Sequence, residues 1–295
     1  MPAFLDITIP LLNFLIMFTV GTGLAAADFK RVAMLPRNVV LPCIAQMVCL
    51  PLAGVVVVSL LSLDPYVVGG VLLIAACPGG SMSNFYSYLA KVNVALSVTL
   101  TGITCLAAMI TMPLIMSCFE QFMGTPDTFH VPIKTFLLTL VMILLLPILL
   151  GMLLRHLRPA FVARYDKWLR IVSMVCLAVL IVQVIWQTPD TFTHDFADTL
   201  KASGAMAGLS LVAGLLVGRF MKLSAYDAWP VAFELMVQNV ALAATIAITV
   251  FQQARFASFA AGYFLVQVPI AAVLILICFK TKQAAAVDLS KRTGA

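Results

Sequence analysis

Nine stretches of about 20 residues, almost free of charge, follow one another along this chain at approximately 9–25, 38–61, 66–90, 93–118, 132–154, 168–187, 201–221, 228–253 and 257–279. Each is long enough to cross the hydrocarbon core of a bilayer as a helix. The connections are short, and several carry turn residues: Asp64-Pro65, Gly124-Thr125-Pro126-Asp127 and Thr188-Pro189-Asp190. An open structure in lipid has to satisfy its own backbone, so the expected fold is an all-α polytopic bundle of nine transmembrane helices. No linker is long enough to divide the chain into separate soluble domains.

Composition excludes the competing classes. Of 295 residues, 63% are apolar and 10% are charged, whereas soluble domains run at about 45–50% and about 25%. Such a chain cannot cover its own surface in water. The net charge of +6 comes from too few basic residues to build a phosphate-neutralising face, so no nucleic-acid partner is expected. All seven cysteines fall in apolar stretches, with no CxxC pair and no histidine at ligand spacing; they are expected to be lipid- or core-facing thiols. The first basic residue is Lys30, so the opening apolar run is not expected to be a secretory signal.

Charge placement orients the spans. Lys30, Arg31, Arg37, Lys91, Arg155, Arg158, Arg164, Lys167, Arg170, Arg219, Lys222, Lys280, Lys282, Lys291 and Arg292 fall on one side, and Lys134, Lys201 and Arg255 on the other. The positive-inside rule then puts the N-terminus outside and the C-terminus in the cytoplasm. Eleven of the twelve acids are expected in loops or tails, and only Glu234 lies inside a span. A charge at mid-membrane costs about 2.5–3.5 kcal/mol on insertion scales, and no Lys or Arg within the spans is available to pair with it. Glu234 is therefore either protonated or accompanied by a cation that is not part of the chain. His130, His156 and His194 make no ligand spacing and read as solvated loop residues.

Two spans look broken. The third carries Pro78-Gly79-Gly80 in its middle, followed at once by Ser81, Ser83 and Asn84. Proline removes a backbone donor and two glycines weaken helix continuation, so unwinding is expected there. The eighth has no proline at the corresponding point; its interruption is inferred from Glu234, Gln238 and Asn239 alone. Half-helix ends expose carbonyls suited to a cation and N–H groups suited to an anion. Bland readings stand beside these: glycines and prolines also serve packing, and Glu234 can be protonated within the bundle. Likewise a lone Gln46 serves as helix–helix glue, and Ser97 and Thr101, four apart, can bond back to their own helix.

The segments IAQMVCLP (44–51), CPGGSMSN (77–84), NVALSVTLTGIT (93–104) and ELMVQN (234–239) resemble the bile acid:sodium symporter family. The similarity extends from the first span to the ninth, and the Pro-Gly-Gly element together with Glu-x-x-x-Gln-Asn is a specific combination. The resemblance implies inverted repeats, here four spans plus five, with two broken helices crossing near mid-membrane. It implies a core domain (about 38–118 and 201–279) and a panel (about 9–25 and 132–187). It also implies two Na+ ions, one held by Ser83, Asn84, Ser97, Thr101 and Glu234. The other would be held by Gln46, Glu234 and Gln238 with the carbonyls of Leu235 and Val237. Ser81 and Asn239 would face the substrate. Met236 stands where a small residue is common, and Ser81 where some bacterial relatives have threonine.

The expected function is Na+-coupled symport of an organic anion, bile acid-like or a small carboxylate such as pantoate or a 2-keto acid, by alternating access. The alternatives are proton coupling through Glu234 and a non-transporting membrane receptor. An enzyme is not expected: no in-span histidine, acid pair or serine–base dyad is present. The expected location is a bacterial inner (plasma) membrane, with lipid and substrate as partners and no obligate protein partner.

Overall fold

A computed structural model describes residues 3–25, 36–123 and 130–293. The turn at Gly124–Asp127 and the charges of Asp28, Lys30 and Arg31 lie outside the described residues, as do the side chains of Asp6, Asp190, Lys280, Lys282, Asp288, Lys291 and Arg292. The elements are α1 (Ala3–Gly23), α2 (Pro36–Leu60), α3 (Pro65–Ala76), α4 (Ser81–Leu89) and α5 (Val94–Met123). They continue with α6 (Ile133–Leu140), α7 (Leu146–Leu157), α8 (Pro159–Gln187), α9 (Pro189–His194) and α10 (Phe196–Phe220). Last come α11 (Ala225–Met236), α12 (Val240–Thr249) and α13 (Ala254–Thr293).

Six helices among the described residues are long and apolar enough to cross a membrane: Arg37–Leu60, Val94–Gln121, Ile133–Leu157, Pro159–Gln187, Phe196–Phe220 and Ala254–Phe279. Ile7–Gly23, Pro65–Ala76 and Val240–Thr249 are shorter apolar helices. The long helices turn apolar faces outward. On α2 the exposed residues Ile44, Val48, Leu52, Val56 and Leu60 recur every fourth position, an apolar stripe of the kind a bilayer covers.

Hydropathy locates the apolar layer but not the helix ends. The run expected at 168–187 is the inner part of α8, which starts nine residues earlier at Pro159. Proline is suited to a first helical position, and Arg170 donates to Asp166 one turn before it at 2.9 Å, so charged residues continue the helix. Glu120, Asp198 and Asp227 are likewise helical rather than loop residues. Two of the three histidines also differ from the loop expectation. His156 lies in the last turn of α7 and His194 ends α9, bonded to Asp195 at 2.8 Å. His130 pairs with Glu120 at 2.8 Å. Of the seven cysteines, Cys43, Cys77, Cys105, Cys176 and Cys278 are buried, while Cys118 is exposed.

One layer is formed by α1, α7 and α8. Gly21 and Gly151 bring the backbones of α1 and α7 together: a Cβ on Gly21 would strike the Ile148 carbonyl, and one on Gly151 the Phe18 carbonyl. Small residues allow that approach. Between α6 and α7 the chain makes a π-turn at Val141–Leu145. Pro147 has no N–H to close on the Ile143 carbonyl, and Asn13 of α1 donates to that carbonyl at 3.0 Å instead. Arg155 donates to the Thr22 and Gly23 carbonyls at the end of α1, where a cation suits the helix dipole.

The remaining helices surround the two broken ones in a repeated register. The pairs α2 and α10, α3 and α11, and the starts of α5 and α13 each lie 160 residues apart; α4 and α12 start 159 apart. Paired α2 and α10 are both 25 residues long, and paired α3 and α11 are both 12. On one face, Arg255 of α13 joins Asp195 at 2.7 Å and Asp64 at 3.2 Å and lies 4.1 Å from the Tyr66 ring. It thereby fastens together the starts of α3, α10 and α13.

Candidate functional site at the helix crossing

Both breaks have local causes. Residues before proline avoid helical geometry, and Cys77 is extended at φ −70°, ψ 150°. Gly80 is extended too, and α4 restarts at Ser81. In the other pair Val237 is extended at φ −96°, ψ 99°, and Asn239 restarts the helix by accepting from the Leu242 N–H at 3.1 Å. The two breaks then pair with each other. Gly79 and Gln238 form an antiparallel bridge, in which the Gly80 N–H donates to Val237 O at 2.8 Å and the Asn239 N–H to Pro78 O at 3.0 Å. Backbone groups released by unwinding are thus satisfied away from water. The glycines are needed for contact: a Cβ on Gly80 would lie 2.6 Å from the Gln238 carbonyl, and one on Gly79 would collide with Glu234 Oε1.

Glu234, in the last turn of α11, is 1% exposed. Its Oε2 accepts from Ser83 at 2.6 Å and from Thr101 at 2.8 Å. Its Oε1 has no partner among the described residues. Asn84 joins the group through Thr101, with 3.3 Å between Asn84 Oδ1 and Thr101 Oγ1. Ser97, one turn before Thr101, lends its carbonyl to Thr101 at 3.1 Å, while its own buried hydroxyl is unpartnered. The single Thr101 hydroxyl proton thus has its own helix carbonyl and the acid within reach, and the acid is the nearer acceptor. Thr104, not singled out from the sequence, continues this face and donates to Thr101 O at 3.2 Å; its signal was the three-residue spacing after Thr101.

The second set gathers at the crossing as well. Gln46 of α2 is 2% exposed with both side-chain polar atoms unpartnered, and it lines a small cavity with Cys77, Pro78 and Thr104. Gln238 donates to Leu235 O at 2.5 Å, leaving its own Oε1 without a partner. The Leu235 and Val237 carbonyls each already accept one hydrogen bond, and a carbonyl keeps a second lone pair for another. Buried oxygens are nearly always hydrogen-bonded. Here those of Gln46, Ser97, Glu234 and Gln238 are not, and an all-oxygen donor set suits a hard cation. Among the described residues no group of three His, Cys, Asp or Glu side chains converges, so a transition-metal centre has no support.

Ser81 and Asn239, the expected substrate contacts, open the two half-helices beside the crossing. Both line a narrow gap against Ile16 and Leu177, which belong to α1 and α8. A larger cleft next to it is lined by Ser81, Asn84, Thr19, Thr22, Ser173 and Arg170, among others. The sequence had not marked Thr19, Thr22 or Arg170 as candidates, because nothing in their spacing shows that α1 and α8 face α4.

The family model described as the sodium bile acid symporter family matches residues 10–195. A Bacillus subtilis protein described as an uncharacterised sodium-dependent transporter is 28% identical over 79% of this chain and 71% of its own length. A probable chloroplastic sodium/metabolite cotransporter of Oryza sativa is 27% identical over 78% of this chain, which spans 56% of that protein. The human hepatic sodium/bile acid cotransporter is 24% identical over 82% of this chain and 70% of its own.

Proposed function

The chain belongs to the sodium bile acid symporter family, and on that premise we propose that it couples Na+ entry to import of an organic anion. It is an integral membrane protein of a sodium-dependent transporter family and not an enzyme. One Na+ is assigned to Ser83, Asn84, Ser97, Thr101 and Glu234, and a second to Gln46, Glu234, Gln238 and the Leu235 and Val237 carbonyls. The carrying observation is the set of buried oxygens without partners around the crossing. A proton on Glu234 would satisfy one of them; cations satisfy several at once, which favours Na+ over H+ coupling.

The anion is assigned to Ser81 and Asn239, at the N-terminal ends of α4 and α12, where backbone N–H groups and helix dipoles favour negative charge. The 160-residue register supports inverted repeats of four and five spans, with α6 and α7 together as the unmatched span. It also supports nine crossings, the broken helices counting once each. The layer of α1 and α6 to α8 would be the panel against which the core rocks. Two Na+ with a monoanion move one net charge, worth about 2.3 kcal/mol per 100 mV. A tenfold Na+ gradient adds about 1.4 kcal/mol per ion. The N-terminus outside and a bacterial inner membrane complete the reading.

The deciding experiment is thermal unfolding of the purified protein in NaCl against KCl, followed by uptake of labelled anions, from small carboxylates to bile acids, in proteoliposomes. Na+ at about 100 times its Kd should stabilise the fold by about 2.7 kcal/mol, and Glu234→Gln should abolish the difference. Equal stability in both salts would overturn the proposal.

A further inference from the structure

Glu234 has a second acid on its own helix face. Asp227 precedes it by seven residues, two turns or about 10 Å at 1.5 Å per residue. Facing them, Asn93 begins α5, and Ser97 and Thr101 follow it at four-residue intervals. The inner end of this seam is closed by Thr101 donating to Glu234 at 2.8 Å. At the outer end Asn93 Nδ2 donates to Asp227 Oδ1 at 2.8 Å, and the Asn93 N–H to Tyr226 O at 3.1 Å. Pro230, which has no N–H for the carbonyl four residues back, leaves Tyr226 O open to that bond.

Between these closures lie hydroxyls with no partner among the described residues. Ser97 is fully buried and its Oγ is unpartnered. On α4, which packs against both α5 and α11, Ser83 reaches Glu234, and Ser87, one turn farther out on the same face, is also fully buried with an unpartnered Oγ. A buried unmatched hydroxyl costs about 1–3 kcal/mol; the Glu234 site accounts for Ser97, and Ser87 calls for an occupant beyond it. Exposure also rises along the seam: Glu234, Thr101, Ser97 and Ser87 are buried, while Asp227 and Asn93 are half-buried.

We propose that this seam between α4, α5 and α11 is the path by which the cation at Glu234 reaches solvent. Leaving Ser97, one of its own ligands, the ion passes the Ser87 hydroxyl, and Asp227 is the site it occupies at the mouth. The inference rests on reading Glu234 as a Na+ site, and the charge distribution assigns the mouth to the cytoplasmic side, which makes the seam a release path. Asp227 also has a structural role, because Ser224 and Asp227 form a capping pair at the start of α11. Asp227→Asn keeps an oxygen for Asn93 and removes only the charge; Asp227→Glu keeps the charge at a position where capping tolerates Glu.

The test follows 22Na+ binding to, and release from, the purified full-length protein on rapid dilution. Asp227→Asn should slow both association and release by about fivefold or more and leave Kd within about twofold, since a mouth carboxylate acts on rates. Asp227→Glu should restore both rates, and Ser87→Ala should slow them without loss of thermal stability. Unchanged rates in Asp227→Asn, or a change in Kd alone, overturn the path while leaving the Glu234 site standing. A wild-type protein that holds no 22Na+ overturns both.

Discussion

Glu234 is held from one side only: two hydroxyls donate to Oε2, and Gly79 gives Oε1 room and nothing else. Adding a methyl at Gly79 should therefore force the carboxylate or the crossing to shift. Gly79→Ala is expected to cost about 1–3 kcal/mol and to remove any Na+-dependent rise in Tm. Ser97 should behave in the opposite way. Its hydroxyl bonds no group among the described residues, so Ser97→Ala should leave Tm in KCl unchanged or raised while lowering the extra stabilisation seen in NaCl. A purely structural serine would lose stability equally in both salts. Glu234 was legible in the sequence because it is the sole acid inside the nine apolar runs. The role of Gly79 was not, since its meaning depends on a residue more than 150 positions away.

Pro147 shows how an element absorbs a missing donor. The helix from Ile133 to Leu157 widens into a π-turn, and Asn13 reaches across from α1 to the Ile143 carbonyl. Asn13→Leu should then lower stability by about 1–2 kcal/mol, read from thermal unfolding, although it makes α1 more apolar. The break in α3 and α4 was legible from Pro78-Gly79-Gly80. The break in α11 and α12 was legible only through polar residues, because the signal that restarts α12 is a single capping asparagine. The start of α8 was hidden for another reason. Hydropathy reports where side chains leave the apolar layer, whereas Pro159 and the Arg170–Asp166 bond keep the backbone helical beyond it.

Across the whole molecule the frame is repeated and the chemistry is not. Shifted by the register of their helices, Ser83, Asn84, Ser97, Thr101 and Glu234 correspond to Leu242, Ala243, Ala257, Ala261 and Ile74, all buried and apolar. The repeat is hidden in the sequence because matched positions carry polar side chains in one half and apolar ones in the other. Burial disfavours charge on Asp195, but hydrogen bonds from His194 and Arg255 outweigh it and hold the carboxyl below the usual carboxylate range. Its contribution is present above the unfolded value of about 3.9 and is lost as the pH falls through the lower folded value. Thermal unfolding from about pH 6 to about pH 3 should show that loss, and Asp195→Asn should flatten the dependence in that window. The two hydrogen bonds at the crossing, Gly80 to Val237 and Asn239 to Pro78, have a mechanical consequence. They act as a rivet through both broken helices, so neither can swivel alone. In the proposed transport cycle, ions and anion are therefore geared to a single stroke, and slippage, an ion crossing without its passenger, would require the rivet to shear.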